Sequence, residues 1–203
     1  MTDAAHHVDV YWSLQSPYCY LVLPRLEELD ARADVRVTVK PVRPGVVRIP
    51  DLFKGRSDMA RVYFDDDVKR TAEFLGMPIG RPNPAPVTFK PGSWRAEVNE
   101  DLVARAYGLF IAAAEAGNGV VFLSRLMRRI WDGSTTGWDQ SMAEDLADLA
   151  GGPDPNWLSK VEANEAAMYA AGHWGVPLMV YRDEALYGQD RWDQLLWRID
   201  QNA

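Results

Sequence analysis

The chain begins with a β-α-β pattern and returns to strands only near its far end. Residues 8–12 are apolar and rich in β-branched and aromatic side chains, SPYCYLVLPRLEELD predicts a helix, and residues 35–40 alternate as VRVTVK. A second strand region, residues 177–181 and 185–187, flanks a polar turn and predicts a hairpin before a last helix over residues 191–199. We therefore expect an α/β fold in which both ends of the chain complete one small sheet.

The sequence between the two strand regions is mostly helical. Apolar residues recur near a 3.6-residue period in residues 57–75, 99–116, 119–131, 140–149 and 156–171. The stretch GMPIGRPNPAPVTFKPG is too rich in proline for a helix and predicts an irregular segment. This order predicts an all-helical insertion over residues 51–170, inside a sheet-containing domain made of residues 8–50 and 171–203.

Composition narrows the class of protein. With 203 residues, 47% of them hydrophobic, the chain is long enough to bury a core. Its net charge of −7 argues against a nucleic-acid partner. The single cysteine cannot form an internal disulfide, and neither a secretion signal nor a run of about 18 apolar residues is present. We expect a soluble cytoplasmic protein with no membrane segment.

Ser16 lies where the first strand runs into the first helix. It is a plausible N-cap, and Pro17 suits the first helical position, where no N–H donor is needed. The N–H groups at such a helix start favour an anion, such as a thiolate, although capping alone also explains the serine. Cys19 lies one turn further on and is expected to face the core, with a redox role left open.

Two later motifs offer binding groups. Pro177 permits a cis peptide bond after Val176, although a trans turn is the more common arrangement. Asp190, at the start of the last helix, can either cap that helix or bind a ligand.

The histidines do not indicate a metal site. His6 and His7 are expected in a frayed tail, and His173 is either a packed residue or an acid–base group. No metal-ligand spacing and no nucleotide-binding glycine motif is present in the sequence.

Three segments together resemble a known family. VDVYWSLQSPYCYL, HWGVPLMVY and LYGQDRWDQLLWRI resemble the 2-hydroxychromene-2-carboxylate isomerase and kappa-class glutathione transferase branch of the DsbA-like thioredoxin superfamily. The resemblance implies a thioredoxin fold with a large all-helical insertion domain, glutathione bound between the two parts, and a homodimer. It also implies a glutathione-dependent isomerase or transferase that acts on a small aromatic electrophile through reversible thiolate addition.

The resemblance assigns roles to individual residues. Ser16 matches the serine that contacts the glutathione sulfur, and Val176, before a cis Pro177, matches the residue that holds the peptide backbone of glutathione. Gln189 and Asp190 match the residues that receive the γ-glutamyl end.

The segment after the second strand, where the family binds its substrate, departs from the family pattern. The family carries a lysine and an asparagine after the second strand, whereas VRPGVVRIPDLFKGR has no asparagine. Arg43, Arg48, Lys54 and Arg56 are candidates for binding a substrate carboxylate, and solvated loop charges are the alternative. Two other functions stay open: a DsbA-like thiol-disulfide oxidoreductase using Cys19, and a noncatalytic binding module.

Overall fold

The structure is a computed structural model that describes residues 4–49, 51–55, 57–89, 96–133 and 145–202. Within these ranges the strands are β1 (His6–Trp12), β2 (Val35–Pro41), β3 (Val87–Phe89), β4 (Ala96–Val98), β5 (Leu178–Tyr181) and β6 (Glu184–Tyr187). The main sheet has the order β2-β1-β5-β6, and β3 pairs with β4 in a separate hairpin. The expected sheet built from both chain ends is confirmed.

The helices in the described ranges are α1 (Pro17–Asp30), α2 (Gly45–Arg48), α3 (Asp58–Leu75), α4 (Glu100–Glu115), α5 (Gly119–Trp131), α6 (Ala147–Ala150), α7 (Trp157–Ala170) and α8 (Trp192–Asp200). The predicted helices over residues 57–75, 99–116, 119–131, 156–171 and 191–199 are confirmed as α3, α4, α5, α7 and α8. The predicted helix over residues 140–149 begins outside the described residues, and only α6 is described near it. None of the described helices combines the length and apolar character that a membrane crossing requires.

The register of the main sheet brings several strand ends to one edge. β1 is parallel to β2 and antiparallel to β5, and β5 is antiparallel to β6. Trp12 pairs with Pro41, Tyr11 with Leu178, and Leu178 with Tyr187. The loops after β1, β2 and β6 and the loop before β5 therefore leave the sheet at the same edge, here called the loop edge.

The helical insertion shares a core with the sheet. One cluster of buried apolar side chains includes Val10 from β1, Leu23 from α1 and residues from α4 and α5. Phe110 of α4 stacks on Phe122 of α5, with ring centroids 5.4 Å apart. The insertion is thus packed onto the sheet-containing part, and the boundaries near residues 50 and 170 stay a prediction.

Two local predictions are wrong. β3 and β4 lie in or next to the proline-rich segment predicted to be irregular, because the short Val87–Phe89 run finds a partner strand. His6 is not in a frayed tail: it pairs in β1, is 3% exposed, and its Nδ1 lies 2.8 Å from the Tyr181 hydroxyl. His7 also belongs to β1 and hydrogen-bonds with Thr38.

Candidate functional site

The loop edge gathers most of the predicted site residues. The Val42 N–H donates to the Trp12 carbonyl at 2.9 Å, and the Gly188 N–H donates to the Pro177 carbonyl at 2.9 Å. Ser16 follows β1 by a few residues, Val176 and Pro177 precede β5, and Gln189 follows β6. Residues far apart in the chain therefore meet here because of strand pairing.

Ser16 is the N-cap of α1, as predicted. Its backbone is extended (φ −97°, ψ 118°), and its Oγ accepts a hydrogen bond from the Cys19 N–H at 3.3 Å. Pro17 has no N–H, and in the described part of the chain no hydrogen bond uses the Tyr18 N–H. The half-buried Ser16 hydroxyl also carries a proton, for which a ligand would compete with the buried Cys19 sulfur. A ligand anion at this helix start would thus meet one hydroxyl and one free amide.

Cys19 lies fully inside the core. Its exposure is 0%, which confirms that it faces inward. Burial raises the pKa of the Cys19 thiol to about 12, although hydrogen bonds from the Ser13 backbone and the Ser16 side chain act in the opposite direction. Because the thiolate is the reactive form, this thiol is poorly suited to act as a nucleophile at neutral pH.

We expect native protein to resist alkylation of Cys19. Iodoacetamide at pH 7 should leave the thiol unmodified in the folded chain and modify it fully after addition of denaturant, because burial both blocks access and suppresses the thiolate. Mass spectrometry of the intact protein measures both states. Rapid labelling of the folded protein would instead favour the oxidoreductase alternative.

The turn between β1 and α1 is held by side chains from the insertion. The buried Tyr107 hydroxyl of α4 donates to the Val42 carbonyl at 2.9 Å, so it accepts from Ser13 Oγ at 3.2 Å. Trp131 Nε1 of α5 donates to the Leu14 carbonyl at 3.0 Å. The sequence contains no signal for these bonds, since they join residues 65 to 117 positions apart.

The neighbouring residue Gln15 ties this turn to the β3–β4 hairpin. Its Nε2 donates to the Val87 carbonyl at 3.1 Å, whereas its Oε1 is buried and has no hydrogen-bond partner among the described residues. The hairpin missed by sequence analysis therefore lies beside the helix start that carries Ser16.

The Val176–Pro177 peptide bond is cis. No backbone hydrogen bond among the described residues uses the Val176 N–H or carbonyl, so both remain available to an extended ligand. The preceding Gly175 is buried, and a β-carbon there would overlap the ring of Tyr187. The close approach of this ring to the backbone requires glycine at position 175.

His173 packs within the same loop. Its ring stacks on Tyr187 with centroids 3.9 Å apart, and its Nδ1 accepts the Gly175 N–H at 2.9 Å. Burial lowers the pKa of His173, so the ring is neutral at pH 7 and carries its proton on Nε2. These contacts therefore favour the prediction that His173 is a packed residue over the prediction that it is an acid–base group. Among the described residues no group of three or more His, Cys, Asp or Glu side chains could hold a metal ion.

Gln189 and Asp190 form a short 3₁₀ helix with Arg191, next to α1. One of the two predicted roles of Asp190, capping the last helix, is wrong. The 3₁₀ turn makes Arg191 the residue that precedes α8. Its exposed carboxylate pairs with the Arg191 side chain at 2.8 Å. The carboxylate remains accessible to a ligand cation at the loop edge.

The candidate carboxylate-binding cations have partners within the protein. Arg43 forms a bidentate pair with Glu165, at 2.9 and 2.7 Å, and Glu165 is 6% exposed. Lys54 is highly exposed and pairs with Asp51 at 3.3 Å. Arg48 donates to three acceptors, and Arg56 lies outside the described residues. The internal pair of Arg43 argues against the predicted substrate role, since its bidentate face is already occupied.

Comparison with known families decides the class of the protein. The profile of the DSBA-like thioredoxin domain matches residues 7–200. The chain belongs to this family. The superfamily and the α/β fold expected from the resemblance are thus confirmed. A search of curated protein sequences found no match.

Solved structures agree with the family assignment. A 2-hydroxychromene-2-carboxylate isomerase structure superposes with a TM-score of 0.70 at 18% identity, covering 96% of this chain and 95% of its own. A probable DsbA oxidoreductase from Streptomyces coelicolor superposes with a TM-score of 0.61 at 19% identity, covering 97% of this chain and 89% of its own. Relatives of the DSBA-like fold therefore include both an isomerase and an oxidoreductase, and these likenesses establish the fold alone.

Proposed function

We propose that this DSBA-like protein binds glutathione at the loop edge and uses it in an isomerisation or transfer reaction on a small aromatic electrophile. One combination of observations carries the proposal. The start of α1 and the Val176 main chain, both at the loop edge, carry N–H groups that no described backbone hydrogen bond uses, while the chain's own thiol at Cys19 is buried with a raised pKa. A site of this kind needs its sulfur from a ligand.

The residues at the edge fit the chemical groups of glutathione. The Ser16 hydroxyl and the Tyr18 N–H would donate to the sulfur, and the Val176 main chain beside Pro177 would pair with the cysteinyl backbone. Gln189 and the exposed Asp190 carboxylate would receive the γ-glutamyl end, with Asp190 opposite its ammonium group. The γ-glutamyl ammonium group of the tripeptide would thus meet a group of opposite charge.

When bound, glutathione would supply the thiolate that adds to a conjugated carbon of the substrate and leaves again after bond rotation, with no net oxidation. The protein's part is to favour the anion. Lowering a thiol pKa by two units requires about 2.7 kcal/mol of stabilisation. A helix start with one or two charge-assisted hydrogen bonds can provide an effect of this size.

The alternatives have less support. An oxidoreductase that uses Cys19 would need an exposed thiol, and this one is buried. A noncatalytic module would be favoured by a filled space at Ser16, yet Ser16 is only half-buried. The cytoplasmic location and the homodimer belong to the same proposal and rest on the single cysteine and on the resemblance, respectively.

Glutathione should raise the melting temperature of the protein. A ligand at 100 times its Kd adds about 2.7 kcal/mol to the free energy of unfolding, which for a chain of this size is a shift of roughly 5–10 °C. Differential scanning fluorimetry with glutathione, and with glycine and glutamate as matched small-molecule controls, measures it. A folded protein that shows neither a shift nor glutathione-dependent turnover would overturn the proposal.

A further inference from the structure

Arg48 joins three separate parts of the chain. From the end of α2, its Nε donates to the Arg43 carbonyl at 2.7 Å and its Nη1 to the Tyr169 hydroxyl of α7 at 3.2 Å. Its Nη2 donates to the Trp174 carbonyl at 3.0 Å. The guanidinium therefore bridges the segment after β2, α7 and the loop that precedes Pro177.

The segment that carries Arg48 is itself fixed to α7. The buried Glu165 carboxylate accepts the Arg43 backbone N–H at 2.9 Å as well as two side-chain bonds. Asn164 Nδ2 of α7 donates to the Pro41 carbonyl at 3.0 Å. Tyr169 lies one helical turn beyond Glu165 on the same side of α7, so the position of Arg48 is set by a rigid helix.

The loop held by Arg48 is the one that presents Val176. Trp174 lies two residues before Val176, and Gly175 between them is bonded to His173 and packed against Tyr187. We therefore expect that a displacement of the Trp174 carbonyl would also displace the Val176 main chain. The Trp174 carbonyl that accepts from Arg48 is thus only two residues from the main chain that we propose binds the ligand, although Arg48 itself lies 126 positions away in the sequence.

We infer that Arg48 is a positioning residue that holds the loop of residues 173–176 so that the Val176 main chain can bind the thiol tripeptide, instead of a residue that binds a substrate carboxylate. The ligand in this statement rests on the proposed function. Arginine suits the role because its planar fork can donate in three directions at once, whereas lysine carries a single nitrogen.

The test compares Arg48→Met and Arg48→Lys with Lys54→Met. Lys54→Met also removes a positive charge from this region, but from an exposed side chain that pairs with nearby Asp51. Amide hydrogen exchange of residues 174–176 is measured on the ligand-free proteins. The Kd for glutathione follows by calorimetry, and kcat/KM is compared for carboxylated and uncarboxylated forms of one aromatic electrophile.

We expect both Arg48 variants to exchange the Gly175 amide, which donates to His173, faster and to bind glutathione about tenfold more weakly, a loss of about 1.4 kcal/mol. The preference between the two electrophiles should stay unchanged in both Arg48 variants, and Lys54→Met should match the wild type in amide exchange and in glutathione affinity. Unchanged amide exchange, or lost preference for the carboxylated electrophile at unchanged glutathione affinity, would overturn the inference.

Two safeguards keep the result interpretable. If Arg48→Met does not fold, Tyr169→Phe removes one of the three acceptors of the Arg48 guanidinium and should produce the same changes at about two- to threefold. If the wild-type protein does not bind glutathione, the proposed function fails by that result alone. The exchange measurement still decides whether Arg48 holds the loop.

Discussion

Ser16→Ala should reduce glutathione-dependent kcat/KM about 100-fold, the usual cost of removing one hydrogen-bond donor from a developing or resident anion. The Ser16 hydroxyl is the side-chain donor that we place against the glutathione sulfur, and the adjacent Pro17 has no N–H to replace it. The fold should persist, since the lost cap is one of many contacts of α1 with the core. Steady-state kinetics with varied glutathione, together with circular dichroism, measures both effects.

The chain contains a matched control for this variant. Ser57 caps α3 in the same way, with its Oγ accepting the Ala60 N–H at 3.3 Å. Ser57→Ala and Ser16→Ala should each cost about 1 kcal/mol of stability as lost caps. Only Ser16→Ala should lose activity; equal activity in the two variants would mean that Ser16 is a cap and nothing more.

Tyr107→Phe should lower the free energy of unfolding by about 1–3 kcal/mol, because the buried Val42 carbonyl loses its donor and the Ser13 hydroxyl loses its acceptor. The same change should weaken glutathione binding, since these two bonds set the turn that leads into Ser16. Denaturant unfolding gives the stability, and calorimetric titration gives the affinity.

Tyr20→Phe separates the two effects of the Tyr107 substitution. Tyr20 is 2% exposed and donates its hydroxyl proton to the Pro78 carbonyl at 2.8 Å, a bond that involves neither Ser13 nor Val42. It should lower stability by a comparable amount and leave the affinity for glutathione unchanged. If both variants lower the affinity equally, general destabilisation explains the result and the role of Tyr107 in holding the turn is wrong.

Features determined by local interactions were predictable from the sequence. The Ser16 cap depends on a side chain and an amide three residues apart, and α5 spans the predicted residues 119–131. The late hairpin also follows from its own strands and turn. In these cases the stabilising contacts lie within about one helical turn or one strand pair, so the residue pattern contains them.

Features that depend on distant partners were not predictable. Residues 87–89 form a strand only because residues 96–98 lie beside them, and His6 is buried through its contact with Tyr181. In the sequence, Arg43 resembles an ordinary charged residue of a surface loop. In the structure it forms an internal ion pair with Glu165, which lies 122 residues away. A sequence pattern cannot indicate which of many remote groups a side chain will meet.

The sequence by itself determined the strands of the main sheet and most of the helices, the serine at the start of α1 and the presence of a single thiol. Its motifs also indicated the family, which the match over residues 7–200 confirms. Only the tertiary structure decided that Ser16, Val176 and Gln189 share one edge, because strand register joins segments more than 150 residues apart. It also decided that the Cys19 thiol is buried and has a raised pKa, since the pKa of a thiol depends on the packing that excludes water from it.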